Sequence, residues 1–153
     1  MKKHEIRKNA YKFVGKILSN QHSIERAVKE ARLQPGGHSG GGGGHAFVSD
    51  PTAQQAVRLA MELKAVTLDD GWTLRWPERW LKVVKCAYEN CYPYEARAMR
   101  YYYDGHTAVR TGEQYGMDQS TVYRIRAEFL HLATELACQY GLVRVVSDEE
   151  LRA

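Results

Sequence analysis

The sequence predicts an all-α protein with at most one small β-hairpin. Three observations predict it. Apolar residues recur at helical spacing through most of the chain. Prolines fall at 35, 51, 77 and 93, between those periodic stretches, where helices start or stop. Residues 107–128 carry a small residue, a glycine turn and two apolar anchors, the spacing of two closely crossing helices. The expected organisation is an N-terminal helical hairpin over 1–35, a flexible glycine linker over 36–48, a helical domain over 49–146 and a tail over 147–153.

The first helix is expected from His4 to Leu18, with Ile6, Tyr11, Val14, Ile17 and Leu18 as a partial apolar stripe. Lys2, Lys3, Arg7, Lys8, Lys12 and Lys16 make it basic: a solvated face, or a second contact to phosphates. Ser23 is placed to cap a second helix, Ile24 to Leu33. Pro35 ends that helix, and GGHSGGGGGH over 36–45 cannot pack, because glycine has no side chain and loses the most backbone entropy on ordering. This stretch lacks the GxxxxGK[ST] pattern of a phosphate loop, and His38 and His45 read as exposed linker residues rather than as metal ligands. If the linker only tethers, deleting Met1 to His45 leaves a folded domain.

Asp50 and Pro51 suit a helix start, with Ala53, Ala56, Val57, Ala60 and Leu63 on one stripe. Asp69-Asp70-Gly71 is a turn signal between Val66-Thr67-Leu68 and Trp72-Thr73-Leu74 and admits the hairpin. Pro77 opens a helix with Trp80, Val83, Val84 and Ala87 inward, and Trp72, Trp76 and Trp80 are expected to anchor the core there. A short helix follows from Tyr94 to Tyr103.

Composition narrows the function. With 153 residues the chain fits one domain or two small ones, and 44% hydrophobic residues suffice for a modest core. The net charge of +4 suits a polyanionic partner without establishing one. No apolar run approaches the ~20 residues of a membrane span. The basic opening MKKHEIRKNAYKFVGKIL is too interrupted by charge for a signal-peptide core, so a cytoplasmic protein with no membrane partner is expected. Cys86, Cys91 and Cys138 form no CxxC pair and read as reduced and structural; no metal and no cofactor is expected. No nucleophile–base or carboxylate pair has a suggestive spacing, so the chain does not read as an enzyme.

The expected functional element is a helix-turn-helix over about 107–128. Thr107 is placed to cap a helix from Ala108 to Tyr115, Gly116 to make the turn, and Asp118 to cap a long helix running from Gln119 to about Tyr140. Gly112 is the small residue at the crossing. Val122 and Ile125 are the anchors, and Thr111, Tyr115 and Met117 complete the small core. This is the spacing of a DNA-binding motif. With Val122 and Ile125 turned inward, Gln119, Ser120, Tyr123, Arg124 and Ala127 face outward near the helix N-terminus, where such helices meet base edges. Arg124 suits guanine, Gln119 suits adenine, and Ala127 and the methyl of Thr121 suit the thymine methyl. Thr107, Arg110, Thr121 and Arg126 are placed for phosphates. Phe129, Leu132 and Leu136 continue the seam, packing on earlier helices or on a second copy. A short strand is expected over Val143–Val146.

The chain resembles the RinA/ArpU-like phage regulators of late transcription, whose C-terminal half is similar to region four of bacterial sigma factors. Three features carry the resemblance: Ser49-Asp50-Pro51-Thr52-Ala53 after a glycine-rich stretch, Pro77-Glu78-Arg79-Trp80 opening a helix, and Ala98-Met99-Arg100-Tyr101-Tyr102-Tyr103 ahead of the motif and Tyr140-Gly141-Leu142-Val143. It implies an activator of phage or prophage packaging, structural and lysis genes that binds double-stranded DNA, with RNA polymerase as a second candidate partner. Gly112 departs from the pattern, standing where alanine is common in sigma-like versions. A sigma region-two domain is missing, so no promoter melting is expected of this chain by itself.

Two rivals share the motif. A small terminase subunit binds DNA through a helix-turn-helix but assembles into a ring. An adaptor uses the sigma-like part to hold polymerase rather than DNA. Oligomeric state separates the first, and duplex binding without polymerase the second.

Overall fold

The structure, a computed structural model, describes residues 3–33, 56–57 and 60–144, with side chains from Asn9 onward. Among these lie six helices and one two-stranded antiparallel sheet: α1 (Lys3–Ser19), α2 (Gln21–Leu33), β1 (Ala65–Thr67), β2 (Thr73–Arg75), α3 (Pro77–Glu89), α4 (Pro93–Tyr103), α5 (Ala108–Tyr115) and α6 (Gln119–Gln139). The fold is therefore mostly helical with one small hairpin, as expected. The glycine-rich stretch, His38 and His45, the features at 49–55 and the tail lie outside the described residues.

Two compact units divide the chain, one holding residues up to Gln21 together with those from Arg79 onward, the other running from His22 to Glu78. The hairpin expected over 1–35 is thus divided between the units: α1 packs on α6 and belongs to the helix-turn-helix unit. The reason is apolar: Val14, Ile17 and Leu18 are all buried. The Tyr11 hydroxyl shares a 2.7 Å hydrogen bond with His131 Nδ1, and the Phe13 and Trp80 ring centroids lie 5.4 Å apart. Gly15 faces α6 without being required there: a Cβ would sit 3.9 Å from Leu130 Cδ1, an ordinary contact. On α6 the buried stripe runs Val122, Ile125, Phe129, Ala133, Ala137. The expected seam positions Leu132 and Leu136 are only half-buried, whereas Ala133 and Ala137 are fully buried.

The rest of this unit's core comes from α3 and α4. Trp80, Val83, Val84, Ala87 and Tyr88 are buried on α3, and Ala98 and Met99 on α4. The Tyr88 ring lies 4.8 Å from Phe129 by centroids, with the Arg100 guanidinium 4.2 Å over it. Burial pushes the Tyr88 phenol up from its ordinary value, opposed by Arg100. It also pushes Tyr103 up to about 12, opposed by Arg126.

In the second unit, the hairpin pairs Val66 with Leu74, both buried, and Thr67 with Thr73, both exposed. The strands are shifted by one residue from expectation, because the loop spans Leu68–Trp72: Leu68 N donates to Trp72 O at 2.9 Å and Gly71 takes φ +85°. Trp76 N donates to Lys64 O at 2.9 Å just before the helix begins at Pro77. Glu78 accepts from Leu63 N at 3.1 Å and from Arg32, tying α2 to the hairpin's flank.

Several local expectations change. Ser23 does not cap α2, which starts at Gln21; the break at Asn20 is closed by its own side-chain amide donating to Lys16 O at 2.8 Å. Of the three tryptophans only Trp80 is a core anchor, because Trp72 and Trp76 flank the hairpin and stay half-buried. The stripe expected to reach Leu63 ends short of it, since residues 62–64 are not helical. Val143 and Arg144 form no strand; residues 145–146 lie outside the described set. The three cysteines are free and half-buried.

Candidate nucleic-acid interface

The site is built on the α5–turn–α6 segment. Thr107 caps α5 as expected: its Oγ1 accepts from Arg110 N at 3.1 Å, leaving one fewer orphan amide in the first turn. Thr111 is fully buried, and its hydroxyl is satisfied by donating to Thr107 O at 2.8 Å. Ala108, Thr111 and Gly112 form the buried face of α5. Half-buried Tyr115 meets Tyr101 edge-on at 5.7 Å. Tyr101 in turn stacks on His106 at 3.7 Å.

The turn depends on two glycines. Gly116 takes the left-handed conformation (φ 67°, ψ 42°) that L side chains resist. Gly112 is needed for contact: a Cβ there would lie 2.4 Å from Met117 O. An alanine at this position would therefore collide with the backbone of the turn. Asp118 occupies the cap position of α6, but its side chain makes no cap hydrogen bond; only its carbonyl starts the helix, accepting from Val122 N at 3.1 Å.

On α6, Val122 and Ile125 are buried, and Gln119, Ser120, Tyr123, Arg124 and Ala127 are all exposed near its start. The fold thus brings the five expected base-reading residues onto one accessible face. Two are held by neighbours one turn away. Gln119 Nε2 donates to Tyr123 Oη at 3.4 Å, and Arg124 Nη1 pairs with Glu128 Oε1 at 3.2 Å, with both side chains more than half exposed. An exposed pair of that kind is worth about 0–1 kcal/mol, so a base edge can displace it.

The expected phosphate contacts divide. Thr107 and Arg110 are exposed at the start of α5, and Thr121 is half-buried. Arg126 is also half-buried and already engaged, its Nη1 donating to Tyr102 Oη at 2.8 Å. Its guanidinium lies 5.8 Å from the Tyr102 ring centroid and 5.5 Å from that of Tyr123. The Tyr102 hydrogen bond pushes Arg126 up from its ordinary value, against burial.

Sequence reasoning missed Tyr102 and Glu128. Glu128 was within reach, standing four residues after Arg124. Tyr102 was not, because the helix crossing that brings it to Arg126 spans 24 residues of sequence. Among the described residues no cluster of three or more His, Cys, Asp or Glu could hold a metal, and no helix is long and apolar enough to cross a membrane. Compared with family models, curated proteins and solved structures, the chain finds no match.

Proposed function

We propose that this protein is a sequence-specific double-stranded DNA-binding regulator of transcription, an activator of phage or prophage late genes. One observation carries the DNA reading. Five side chains able to meet base edges stand exposed at the start of α6, opposite anchors buried over a turn tightened by Gly112 and Gly116. Arg124 offers paired donors to guanine O6 and N7, Gln119 both a donor and an acceptor to adenine, and Ala127 a methyl to thymine. Exposed Arg110 and Thr107 and half-buried Thr121 are the candidate phosphate donors. The net charge of +4 supports a polyanionic partner. The late-gene assignment rests on the resemblance to the RinA/ArpU-like regulators.

The test is duplex binding, followed by fluorescence anisotropy across a salt series with polymerase absent. For about five phosphate contacts, log K should fall against log salt with a slope of roughly −4 to −5. A flat response removes the DNA reading.

A polymerase-holding adaptor is favoured by a different observation. Tyr92 and Tyr94 stack at 6.1 Å near the start of α4 and are 69% and 47% exposed, an aromatic pair suited to a protein partner. Saturable polymerase binding with no duplex binding selects this reading.

A further inference from the structure

We infer that Arg126 is a positioning residue: it links Tyr102 of α4 to Tyr123 on the reading face and fixes the tyrosine ring in place for base contact. The inference rests on the DNA-reading role proposed above and replaces a simple phosphate contact for Arg126.

Three contacts lead to it. Arg126 Nη1 donates to Tyr102 Oη at 2.8 Å, which ties the side chain to a different helix. The same guanidinium lies 5.5 Å from the centroid of the Tyr123 ring, within cation–π range. The Tyr123 hydroxyl accepts from Gln119 Nε2 at 3.4 Å. Tyr123 is thus restrained at its ring by Arg126 and at its hydroxyl by Gln119, although it is 46% exposed. Gln119 and Tyr123 are both base-reading candidates, so the chain Tyr102–Arg126–Tyr123–Gln119 couples the reading face to α4.

The chemistry favours arginine here. A planar guanidinium can donate in its plane to Tyr102 while its face covers an aromatic ring, a pre-organised geometry that the compact, strongly hydrated lysine ammonium lacks. A surface tyrosine without these restraints samples several rotamers and loses that freedom on binding, which weakens the specific complex more than the non-specific one. A phosphate contact acts on both complexes alike and adds about one unit to the salt slope.

The test uses full-length protein with Tyr102→Phe, Arg126→Lys and Arg126→Ala. In the free protein, the Tyr123 ring resonances, assigned by NMR, should shift in Tyr102→Phe and Arg126→Lys; unchanged resonances overturn the coupling. Binding is then measured on a duplex selected from random sequence and on a random duplex. Tyr102→Phe and Arg126→Lys should each lower the ratio of selected to random affinity by about fivefold, with the salt slope unchanged. Tyr102→Phe in the Arg126→Ala background should add nothing further. The proposal is overturned if Tyr102→Phe keeps the full ratio, or if Arg126→Ala weakens both duplexes equally and Arg126→Lys restores them. Absence of duplex binding by the unsubstituted protein overturns the DNA reading and with it the role given to Tyr123, while the ring resonances still report on the coupling.

Discussion

Gly112 and Met117 meet backbone to backbone. Met117 N donates to Gly112 O at 2.8 Å, and the Met117 carbonyl lies where a side chain on Gly112 would begin, 2.4 Å from its Cβ. This contact lets α5 turn into α6 within three residues and sets the angle at which the exposed face of α6 is presented.

Gly112→Ala should therefore destabilise the protein by about 1–3 kcal/mol, because backbone must move to admit the methyl. Helix propensity alone predicts the opposite sign, a gain of about 0.5–1 kcal/mol. Gly15→Ala, whose Cβ meets only Leu130 Cδ1 at 3.9 Å, is the control and should stabilise by about that gain. Urea unfolding of the two variants checks both signs.

The two caps should respond differently. Thr107 Oγ1 accepts a backbone amide at 3.1 Å, whereas Asp118 makes no side-chain cap bond. Thr107→Ala should cost about 1 kcal/mol and Asp118→Ala only a few tenths. Thermal melting compares them; equal losses would mean that the Asp118 carboxylate does cap α6.

Removing residues 1–45 should abolish cooperative unfolding. Val14, Ile17 and Leu18 are buried, and α1 packs on α6. Full burial of three such side chains contributes roughly 5–9 kcal/mol, comparable with the whole stability of a small domain. Circular dichroism with heating of the 46–153 fragment tests this, and a sharp transition at the full-length temperature would contradict it.

Stability should fall above pH 10. Tyr103 titrates at about 12 in the folded protein, against an ordinary phenol value near 10, and Tyr88 is shifted the same way, in both cases chiefly by burial. Between those pH values the unfolded chain has lost protons that the folded chain keeps. The stabilisation is complete below pH 10 and drains as pH rises through the folded value, at about 1.4 kcal/mol per pH unit for each group. Phenolate absorbance of the Tyr88→Phe and Tyr103→Phe variants against the unsubstituted protein should show that each residue ionises well above pH 10; loss of phenolate signal near pH 10 in either variant would contradict this.

Much of the fold was legible where local chemistry decides it. The Thr107 cap, the Gly116 turn, the Val122 and Ile125 anchors and the five exposed residues of α6 follow from helical period and turn chemistry alone. What was illegible depends on distant contacts. Nothing near α1 announces that it packs on α6, because a basic amphipathic helix reads the same whether its partner is the next helix or one a hundred residues on. By hydrophobicity Leu132 and Leu136 make the better seam, yet Ala133 and Ala137 are the buried positions. Arg126 looked like a free cation until α4 brought Tyr102 beside it.

The proposed reading of bases by α6 turns on Arg124. Arg124 is exposed opposite the buried Val122 and Ile125. Duplexes selected from random sequence with the full-length protein provide the cognate site, and anisotropy then compares Arg124→Ala with the unsubstituted protein on cognate and random DNA. The expected result is a loss of about 1–3 kcal/mol on the cognate duplex and much less on random DNA. Equal weakening on both, or a selection that enriches no sequence, would contradict base reading by this helix.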